Sequence, residues 1–493
     1  MADIKIEKIN ETYLKVTCEP SIKSELSDHF TFDAPGAKFH PLVRAKKWDG
    51  KIRLFQTLSG LIYVGLKNYI EHYAETNNYT LDDNNYITTA DAATFDLVEK
   101  FCIQLKLGSN GNPIKIRDYQ VEAVYRAITE GRQVLISPTG SGKSLIIYCL
   151  MRWNEQFNRK QIVVVPTTSL VEQMYSDFAD YSCLNGWKVE DNCSRLYAGF
   201  EKSNKANVII STWQSIYDLP ANFFKDFNVI FGDEAHTFKS KSLIAIMNKM
   251  VNTPYRVGTT GTLDGTKLNK LVLEGLFGPV FKVTSTKELM DTEQLAQLKI
   301  FAIILDYSDE IKKQATKLKY QEEVDFIVQY NPRNNFISNL ALDQKGNTLV
   351  LFQFVEKHGK ILHDIIMQKS KKRKVFLIYG NTETKEREAI RAIVEKEDDA
   401  IIVASYGTFS TGINIKNLHN IILASPFKSR IRNLQSIGRG LRKNDEKVEC
   451  NLYDIGDDLS WRSKKNYTLN HMVERMKIYN EEHFSYTLHK VKI

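Results

Sequence analysis

Short apolar runs rich in β-branched residues recur along this chain and are separated by segments with helical patterning. Between residues 130 and 260 they read QVLIS, QIVVVP, SRLYAG, NVIIST, NVIFGDE and RVGTT; after residue 345 they read TLVLFQF, KVFLIYG, AIIVASYG, HNIILASP and CNLYDI. Strands that are apolar throughout and alternate with helices are typical of a parallel sheet covered on both faces. The sequence therefore predicts an α/β fold with two successive parallel-sheet domains, joined by a more helical, charged stretch near 284–340.

The chain has 493 residues, which is enough for three or four units at roughly 150 residues each, so we expect further units besides the two parallel-sheet domains. Residues 1 to about 105 mix short strands and helical stretches, which predicts a small α+β unit. The run GSNGNP at 108–113 favours turns and predicts a linker. The tail from Trp461 lacks strand runs and predicts a short helical appendage. The expected parts are 1–108, 109–283, 284–460 and 461–493.

Composition excludes several classes of protein. At 43% hydrophobic residues the chain has no apolar stretch near the roughly 20 residues that a membrane span needs. The amino terminus, MADIKIEKIN, alternates apolar and charged residues where a signal peptide has a continuous apolar region, so we expect a cytoplasmic protein. The six cysteines include no CxxC pair, so neither a zinc site nor a redox motif is predicted. A net charge of +8 permits a polyanionic partner without requiring one.

The loop SPTGSGKS at 137–144 lies directly after the strand QVLI and before the helical run LIIYCL. This is the context of a phosphate-binding loop, in which glycines let backbone amides approach phosphates and the helix amino terminus adds partial positive charge. Lys143 is predicted to contact the β and γ phosphates, and Ser144 to bind Mg²⁺. Ser137 replaces the first glycine of the strict pattern; the alternative is a small-residue turn. We therefore predict ATP and Mg²⁺ as cofactors, bound by Pro138, Thr139, Gly140, Ser141, Gly142, Lys143 and Ser144.

A second apolar strand ends in two adjacent acids, in NVIFGDEAH at 228–236. Asp233 is predicted to hold Mg²⁺, and Glu234 to orient the attacking water and accept its proton. His236 is predicted to relay the nucleotide state to the domain interface. An acidic pair at a strand end is usually a solvated turn, but its occurrence after a phosphate-binding loop favours catalysis.

The third motif, QSIGRGLR at 435–442, lies in the second parallel-sheet domain. Phosphoryl transfer develops negative charge that arginines from a neighbouring domain often stabilise. Arg439 and Arg442 are three residues apart, so they share one helical face. We predict a catalytic role for both and for Gln435; the alternative is a basic helix face that meets solvent or nucleic acid.

In their order along the chain these motifs resemble those of superfamily 2 helicases over roughly residues 115–460. The further motifs that carry the resemblance are IRDYQ (116–120), VVPTTSLVEQ (164–173), STWQS (211–215), TGT (260–262) and SYGTFSTGINI (405–415), although many relatives have SAT where this chain has TGT. The resemblance implies two RecA-like domains with ATP between them.

The resemblance also implies roles for individual residues. Gln120, helped by Arg117, would recognise adenine; Gly412 would contribute to the nucleotide site; Thr260 and Thr262 would couple hydrolysis to movement. The residues implied for the nucleic-acid path are Pro166, Thr167, Thr168, Ser211, Thr212 and Thr411. Hydroxyls and backbone amides at strand ends suit phosphate oxygens, although PTTS before a helix is also an ordinary N-cap.

Over its whole length the chain is similar to the UvsW family of phage helicases, including the segment KFHPLVRAKKWDGKIRLF at 38–55. This similarity implies an ATP-dependent DNA helicase of recombination and repair. It would act on single-stranded, double-stranded or branched DNA (Holliday junctions, stalled forks and R-loops, hence DNA-RNA hybrids), as a monomer, in the host cytoplasm. The alternatives are a double-strand DNA translocase without strand separation, an RNA helicase and an ATP-gated clamp.

The segment 38–53, called the basic segment below, carries six Lys and Arg residues against one Asp. Aromatic residues are interleaved with these charges, so the segment offers cations for phosphates and rings for stacking on bases. We predict that Lys46, Lys47, Trp48 and Arg53 contact nucleic acid. In the alternative, Trp48 belongs to the core and begins a hairpin turn that continues through Asp-Gly.

Overall fold

The computed structural model describes residues 2–84, 86–197, 206–370, 372–412, 415, 417–427, 429–441 and 448–493. Contacts divide the chain into two units. Unit 1 comprises Met1–Ser137 and Gly142–Val283, and unit 2 comprises Pro138–Ser141 and Thr284–Ile493. Within the described ranges, no helix combines the length and the apolar character needed to cross a membrane.

The amino-terminal part of unit 1 is a small α+β structure. It contains β1 (Ile4–Lys8), β2 (Tyr13–Cys18), α1 (Pro20–His29), β3 (Thr31–Asp33), α2 (Pro41–Arg44), β4 (Lys51–Arg53), β5 (Leu61–Tyr63), α3 (Lys67–Thr76) and β6 (Leu81–Asp82). Four strands form a sheet in the order β5-β2-β1-β6, while β3 and β4 pair separately. Along β1 and β2 buried residues alternate with more exposed ones, because successive side chains of a strand point to opposite faces.

The rest of unit 1 is a doubly wound α/β domain. Its elements are α4 (Phe95–Gln104), β7 (Gly108–Ser109), β8 (Asn112–Pro113), α5 (Asp118–Glu130), β9 (Arg132–Ile136), α6 (Lys143–Glu155), β10 (Gln161–Val165), α7 (Thr168–Tyr181), α8 (Val189–Asn192), β11 (Cys193–Leu196), β12 (Val208–Thr212), α9 (Trp213–Ile216), α10 (Ala221–Phe224), β13 (Val229–Asp233), α11 (Lys241–Lys249), β14 (Tyr255–Thr260), α12 (Lys267–Phe277) and β15 (Val280–Lys282). Seven parallel strands pair in the order β11-β12-β10-β13-β14-β9-β15. All residues of β10, β12, β13 and β14 are buried, as expected when helices cover both faces.

The transition between these two parts differs in detail from the expectation. The run GSNGNP forms a short hairpin of β7 and β8, with Asn110 and Gly111 at φ of 50° and 77°, the region that two-residue hairpin turns require. Helix α4, which we assigned to the amino-terminal part, contributes Val98 and Cys102 to the core of the α/β domain. The four domain bounds stay predictions.

Unit 2 contains a second parallel sheet. Its elements are α13 (Thr286–Asp291), β16 (Gln297–Asp306), α14 (Asp309–Ala315), α15 (Tyr320–Gln329), α16 (Asn331–Asp343), β17 (Thr348–Phe352), α17 (Lys360–Lys369), β18 (Val375–Ile378), α18 (Thr384–Val394), β19 (Ile401–Ser405), α19 (Tyr406–Gly412), β20 (Asn420–Leu423), α20 (Arg430–Gly440), β21 (Glu449–Asp458), α21 (Tyr467–Glu481) and β22 (Tyr486–Lys492). Seven parallel strands pair in the order β18-β19-β17-β20-β21-β16-β22. The prediction of two tandem parallel-sheet domains is therefore confirmed.

Two strands of unit 2 correct the sequence-based expectation. Strand β16 lies within the stretch that we expected to be mainly helical. The expectation of a helical tail without strands is right for α21 but wrong for β22, which pairs in parallel with β16 at the edge of the sheet. An edge strand exposes much of its surface, so YTLHKVK lacks the apolar run that marks the inner strands.

Two buried ion pairs attach helices to β21. Arg333 of α16 donates to Asp457 at 2.7 Å, and Arg475 of α21 donates to Asp454 at 2.7 Å. All four side chains are almost fully buried. Removing one member of such a pair typically costs about 3–5 kcal/mol, because the other charge is left buried without its partner.

Candidate functional site

The strand order of unit 1 brings its motifs to one edge of the sheet. Strands β12, β10, β13, β14 and β9 are neighbours in that order and run parallel, so their carboxyl ends lie side by side. From one end to the other this edge carries Thr212, Pro166, Asp233, Thr260 and Ser137. The acidic motif and the phosphate loop thus follow closely placed strands, and the residues assigned to nucleic acid lie on the next two.

The phosphate loop is tied to its neighbouring strand at its beginning. Ser137 N donates to the carbonyl of Thr260 at 2.8 Å, and Lys143 Nζ donates to the carbonyl of Ser137 at 3.1 Å. Gly140 and Gly142 have φ of 87° and 86°, in the left-handed region that favours glycine. Ser137 is buried and lies outside that region, which explains why it is accommodated where the strict motif has glycine.

Gln120 lies directly against the phosphate loop. Its Oε1 accepts a hydrogen bond from Arg117 N at 3.0 Å at the start of α5, and Arg117 Nη1 donates to Tyr119 Oη at 2.9 Å. A Cβ built on Gly142 would collide with Gln120 Nε2, so glycine permits this close approach. The structure therefore places Gln120 next to the loop predicted to hold the phosphates, and Arg117, the other residue predicted to recognise adenine, is hydrogen-bonded to Gln120.

The acidic motif offers a carboxylate to a cation. Thr259 Oγ1 donates to Asp233 Oδ1 at 2.9 Å. Burial raises the pKa of Asp233 and the neighbouring charge of Glu234 adds to the increase, whereas the charge of Lys143 opposes it. A divalent cation would favour the ionised carboxylate in this environment. The oxygen donors of Ser144 and Asp233 fit Mg²⁺, which commonly takes its other ligands from phosphates and water.

A chain of contacts links the predicted base to the TGT motif. Glu234 has φ of 51° and ψ of 50°, a left-handed conformation that is strained for a residue with a Cβ and that clusters at functional sites. Its Oε2 lies 3.2 Å from His236 Nδ1, which lies 3.0 Å from Thr260 Oγ1. Thr260 Oγ1 donates in turn to the carbonyl of Thr262 at 3.0 Å. These four residues are therefore connected across β13 and β14.

A residue that the sequence analysis missed contacts the predicted magnesium ligand. Ser144 Oγ and Tyr181 Oη are 2.8 Å apart, and the Tyr181 ring packs on Tyr148 one turn further along α6. Burial raises the pKa of the Tyr181 hydroxyl. Tyr181 ends the helix that follows the PTTS motif. Its spacing of 37 residues from Ser144 carries no recognisable signal.

We expect Tyr181→Phe to raise the Mg²⁺ concentration that gives half-maximal ATP hydrolysis by about two- to tenfold, the equivalent of one hydrogen bond. Without Tyr181 Oη, the Ser144 hydroxyl loses the partner that fixes its rotation. The measurement is a Mg²⁺ titration of ATPase activity at saturating ATP. Tyr175→Phe in the same helix, where the ring packs on Arg195, is the matched control. An unchanged titration would show that Tyr181 does not position Ser144.

Three of the hydroxyls assigned to nucleic acid, those of Thr167, Ser211 and Thr212, have partners within unit 1. Thr167 Oγ1 accepts from Leu170 N at 3.3 Å and so caps α7, which is the alternative that the sequence left open; Thr168 is the first residue of that helix. Ser211 is fully buried and donates to the carbonyl of Leu196 at 2.8 Å. Thr212 pairs with Ser215 at 2.9 Å. Contact of these residues with nucleic acid stays a prediction.

The basic segment lies mostly on the surface. Lys46 and Lys47 are exposed, and Phe39 is 76% exposed. Trp48 is half-buried; its indole donates to the carbonyl of Lys51 at 3.1 Å, so it is not a core residue. The chain around Asp-Gly leads from α2 into β4 and does not form a two-residue hairpin, although Gly50 has φ of 74°. Arg53 is paired with Asp49 at 2.5 Å.

The predicted residues of unit 2 are only partly described. Gln435 lies in α20, which follows β20, and its side chain is half-buried. Gly412 and Thr411 end α19, which follows β19, and the side chains of Thr411 and Arg439 are outside the described part of the structure. Arg442 lies outside the described residues. The roles assigned to these residues stay predictions.

Three protein families match successive parts of the chain. "DNA helicase UvsW, N-terminal" matches residues 3–83, "Type III restriction enzyme, res subunit" matches 113–265, and "Helicase conserved C-terminal domain" matches 332–444. The first coincides with the amino-terminal part of unit 1.

Individual relatives match over longer distances. The ATP-dependent DNA helicase uvsW of Enterobacteria phage T4 is 34% identical over 508 aligned positions that cover 100% of both chains. The DNA 3'-5' translocase XPB2 of Sulfurisphaera tokodaii is 26% identical, covering 82% of this chain and 91% of its own. The crystal structure of T4 UvsW superposes with a TM-score of 0.54 at 31% identity and covers 99% of each chain. The resemblance to superfamily 2 helicases is confirmed.

Proposed function

The chain belongs to the UvsW family of ATP-dependent DNA helicases, and from this we propose that it uses ATP hydrolysis to remodel branched DNA in recombination and repair, with Holliday junctions, stalled forks and R-loops as substrates. One observation carries the proposal. The phosphate loop, the acidic pair and the TGT motif share one sheet edge, in a chain that matches a DNA helicase along its full length. We further propose that the protein is a monomer in the host cytoplasm and accepts DNA-RNA hybrids.

In the proposed mechanism, the phosphate loop and the residues around it hold the nucleotide. Gln120, next to Arg117, would contact adenine, and the backbone amides around Gly140 and Gly142 would receive the phosphates. Lys143 would bind the β and γ phosphates. Ser144 and Asp233 would hold Mg²⁺, which supplies positive charge for the developing phosphate charge.

Hydrolysis itself depends on Glu234. Its carboxylate would orient the attacking water and accept its proton as the oxygen attacks the γ phosphorus. His236 contacts both Glu234 and Thr260, so it is placed to transmit a change at the base to β14. Gln435, Arg439 and Arg442 of unit 2 would stabilise the charge on the transferred phosphoryl group.

The nucleic acid would run along the strand ends that are further from the phosphate loop. The contributors are Pro166, Thr167, Thr168, Ser211 and Thr212 of unit 1 with Thr411 of unit 2. These residues contact the backbone and read no base sequence, which suits a helicase that acts on DNA of any sequence. The basic segment would add Lys46, Lys47, Trp48 and Arg53, whose charges and ring suit phosphates and bases.

We expect the double substitution of Lys46 and Lys47 by Gln to weaken DNA binding while leaving DNA-free ATPase activity unchanged. If each lysine neutralises one phosphate of duplex DNA, the slope of log affinity against log salt should become shallower by about 1.8. The measurement is a binding titration at several salt concentrations. The matched control replaces Lys5 and Lys15, which are exposed on the sheet of the same part of the protein. Equal losses in the two double variants would contradict a specific role for the basic segment.

The function is tested by ATPase activity and strand separation with single-stranded, duplex and four-way-junction DNA and with RNA. Branched DNA should be the strongest activator, and forks should regress only with hydrolysable ATP. Displacement of a third strand from duplex DNA without opening of forks would favour the translocase alternative. Stimulation by RNA above all DNA substrates would favour an RNA helicase.

A further inference from the structure

Two buried arginines lie opposite each other at the amino ends of neighbouring strands. Arg132 begins β9, and Arg256 is the second residue of β14; the two are register partners in the sheet. Both side chains are almost completely buried. At the other ends of the same two strands lie Ser137, which begins the phosphate loop, and Thr260 of the TGT motif.

These arginines hold the turn between β1 and β2 of the amino-terminal part. Arg256 Nη2 donates to Thr12 Oγ1 at 2.9 Å, and Arg132 Nη2 donates to the carbonyl of Glu11 and, at 2.9 Å, to its Oε2. Glu11 N in turn donates to the carbonyl of Val251 at 2.9 Å. The turn is therefore fixed by both side chains and backbone.

The buried guanidinium of Arg256 is stabilised by four hydrogen-bond acceptors. Besides Thr12 it donates to the carbonyls of Met250 at 2.6 Å, Thr253 at 3.0 Å and Leu276 at 3.4 Å, all of them neutral. Burial lowers the pKa of the Arg256 guanidinium well below its usual range, and the charge of Arg132 adds to this. A buried cation that loses one acceptor has no water to replace it.

The contact between the amino-terminal part and the α/β domain around these arginines is closely packed. One hydrophobic core runs from Ile4 in β1 to Phe277 in α12. Tyr69 Oη donates to Glu274 Oε2 at 2.6 Å, and a Cβ on Gly65 would collide with the carbonyl of Glu274. The amino-terminal part and the α/β domain of unit 1 are thus packed as a single body.

We propose that Thr12 and Arg256, supported by Glu11 and Arg132, are positioning residues of the motor. They hold the amino-terminal part, which binds DNA, in a fixed position relative to the strands that end in the phosphate loop and the TGT motif. When those strands move during the ATP cycle, the amino-terminal part and its bound DNA then move with them. This inference rests on the proposed helicase function. It concerns the number of base pairs separated for each ATP hydrolysed.

The test compares Thr12→Val with Thr12→Ser. Valine keeps the shape of threonine but removes the acceptor of Arg256 Nη2, whereas serine keeps the hydroxyl and loses the methyl group. We expect Thr12→Val to lower the base pairs opened per ATP on forked DNA by about fivefold, with DNA-free ATPase activity unchanged, and Thr12→Ser to match the unsubstituted protein. The measurement combines strand separation and phosphate release in the same reaction.

A merely structural role would not produce this pattern. Partial unfolding lowers strand separation and ATP hydrolysis together and leaves their ratio unchanged, which would overturn the proposal. So would a normal ratio in Thr12→Val with a reduced one in Thr12→Ser, because the methyl group would then be the important feature. Glu11→Gln, which weakens the contact with Arg132, should lower the ratio by about twofold and provides the test if Thr12→Val does not fold; a normal ratio in Glu11→Gln would then overturn the proposal. Failure of the helicase proposal is distinguishable, since the unsubstituted protein would open no fork.

Discussion

Replacing Glu234 with Gln should lower the turnover number for ATP by about a thousandfold, within the range that general base catalysis contributes. Glutamine has the same size and keeps the same backbone, so the left-handed conformation at this position, with φ of 51°, is not made worse. It cannot accept the proton of the attacking water. ATP binding should therefore persist while hydrolysis stops, as measured by single-turnover hydrolysis together with equilibrium binding of ATP.

The same variant separates a cycling motor from an ATP-gated clamp. A motor that cannot hydrolyse ATP is trapped with its nucleotide bound and opens no DNA, whereas a clamp only needs to bind ATP. Glu172→Gln, at an exposed position of α7, is the control for loss of a carboxylate. Normal DNA remodelling by the Glu234 variant would rule out the motor.

Lys143→Ala should abolish ATP hydrolysis, with a loss in kcat/KM of at least about a thousandfold, or roughly 4 kcal/mol of transition-state stabilisation. The ammonium group is predicted to neutralise the phosphate oxygens, and it also opposes the increase in the pKa of Asp233 that burial and Glu234 cause. Both effects disappear in the variant. The measurement is steady-state ATPase activity with saturating DNA.

A lysine elsewhere in unit 1 provides the comparison for this variant. Lys188 is exposed and precedes α8, away from the phosphate loop in the sequence, so Lys188→Ala should retain full activity. Appreciable hydrolysis by Lys143→Ala with an unchanged melting temperature would contradict the assignment of the loop.

The sequence predicts the motor well because parallel strands end at one edge. Once QVLI, NVIF and RVGTT are recognised as buried strands, Ser137, Asp233 and Thr260 must lie near one another, as they do. Edge strand β22 could not be predicted in this way, because most of its residues face water and it has no apolar run; Leu488, for example, is 56% exposed. A period of apolar residues is visible only where burial imposes it.

Contacts between distant residues could not be predicted. Thr12 and Arg256 are 244 positions apart. Arg256 begins the strand run RVGTT, but nothing in the sequence connects it with Thr12. From the sequence alone, an arginine near the start of an apolar strand is as consistent with an exposed position at the strand end as with a buried one. Only the fold shows that its acceptors are the carbonyls of Met250 and Thr253 in the loop after α11, the carbonyl of Leu276 in α12, and the hydroxyl of Thr12 in the turn between β1 and β2.

The continuous core between the amino-terminal part and the α/β domain limits how this family can diversify. If residues 1–83 were removed, the α/β domain would expose to water the apolar surface that Ile4 and its neighbours now cover. The amino-terminal part therefore cannot be replaced by an unrelated domain without loss of this core. New preferences for DNA shape have to arise by point changes or insertions in surface loops. The stretch between β3 and β4, which lies almost entirely outside the core, is the place where such changes carry the smallest penalty in folding.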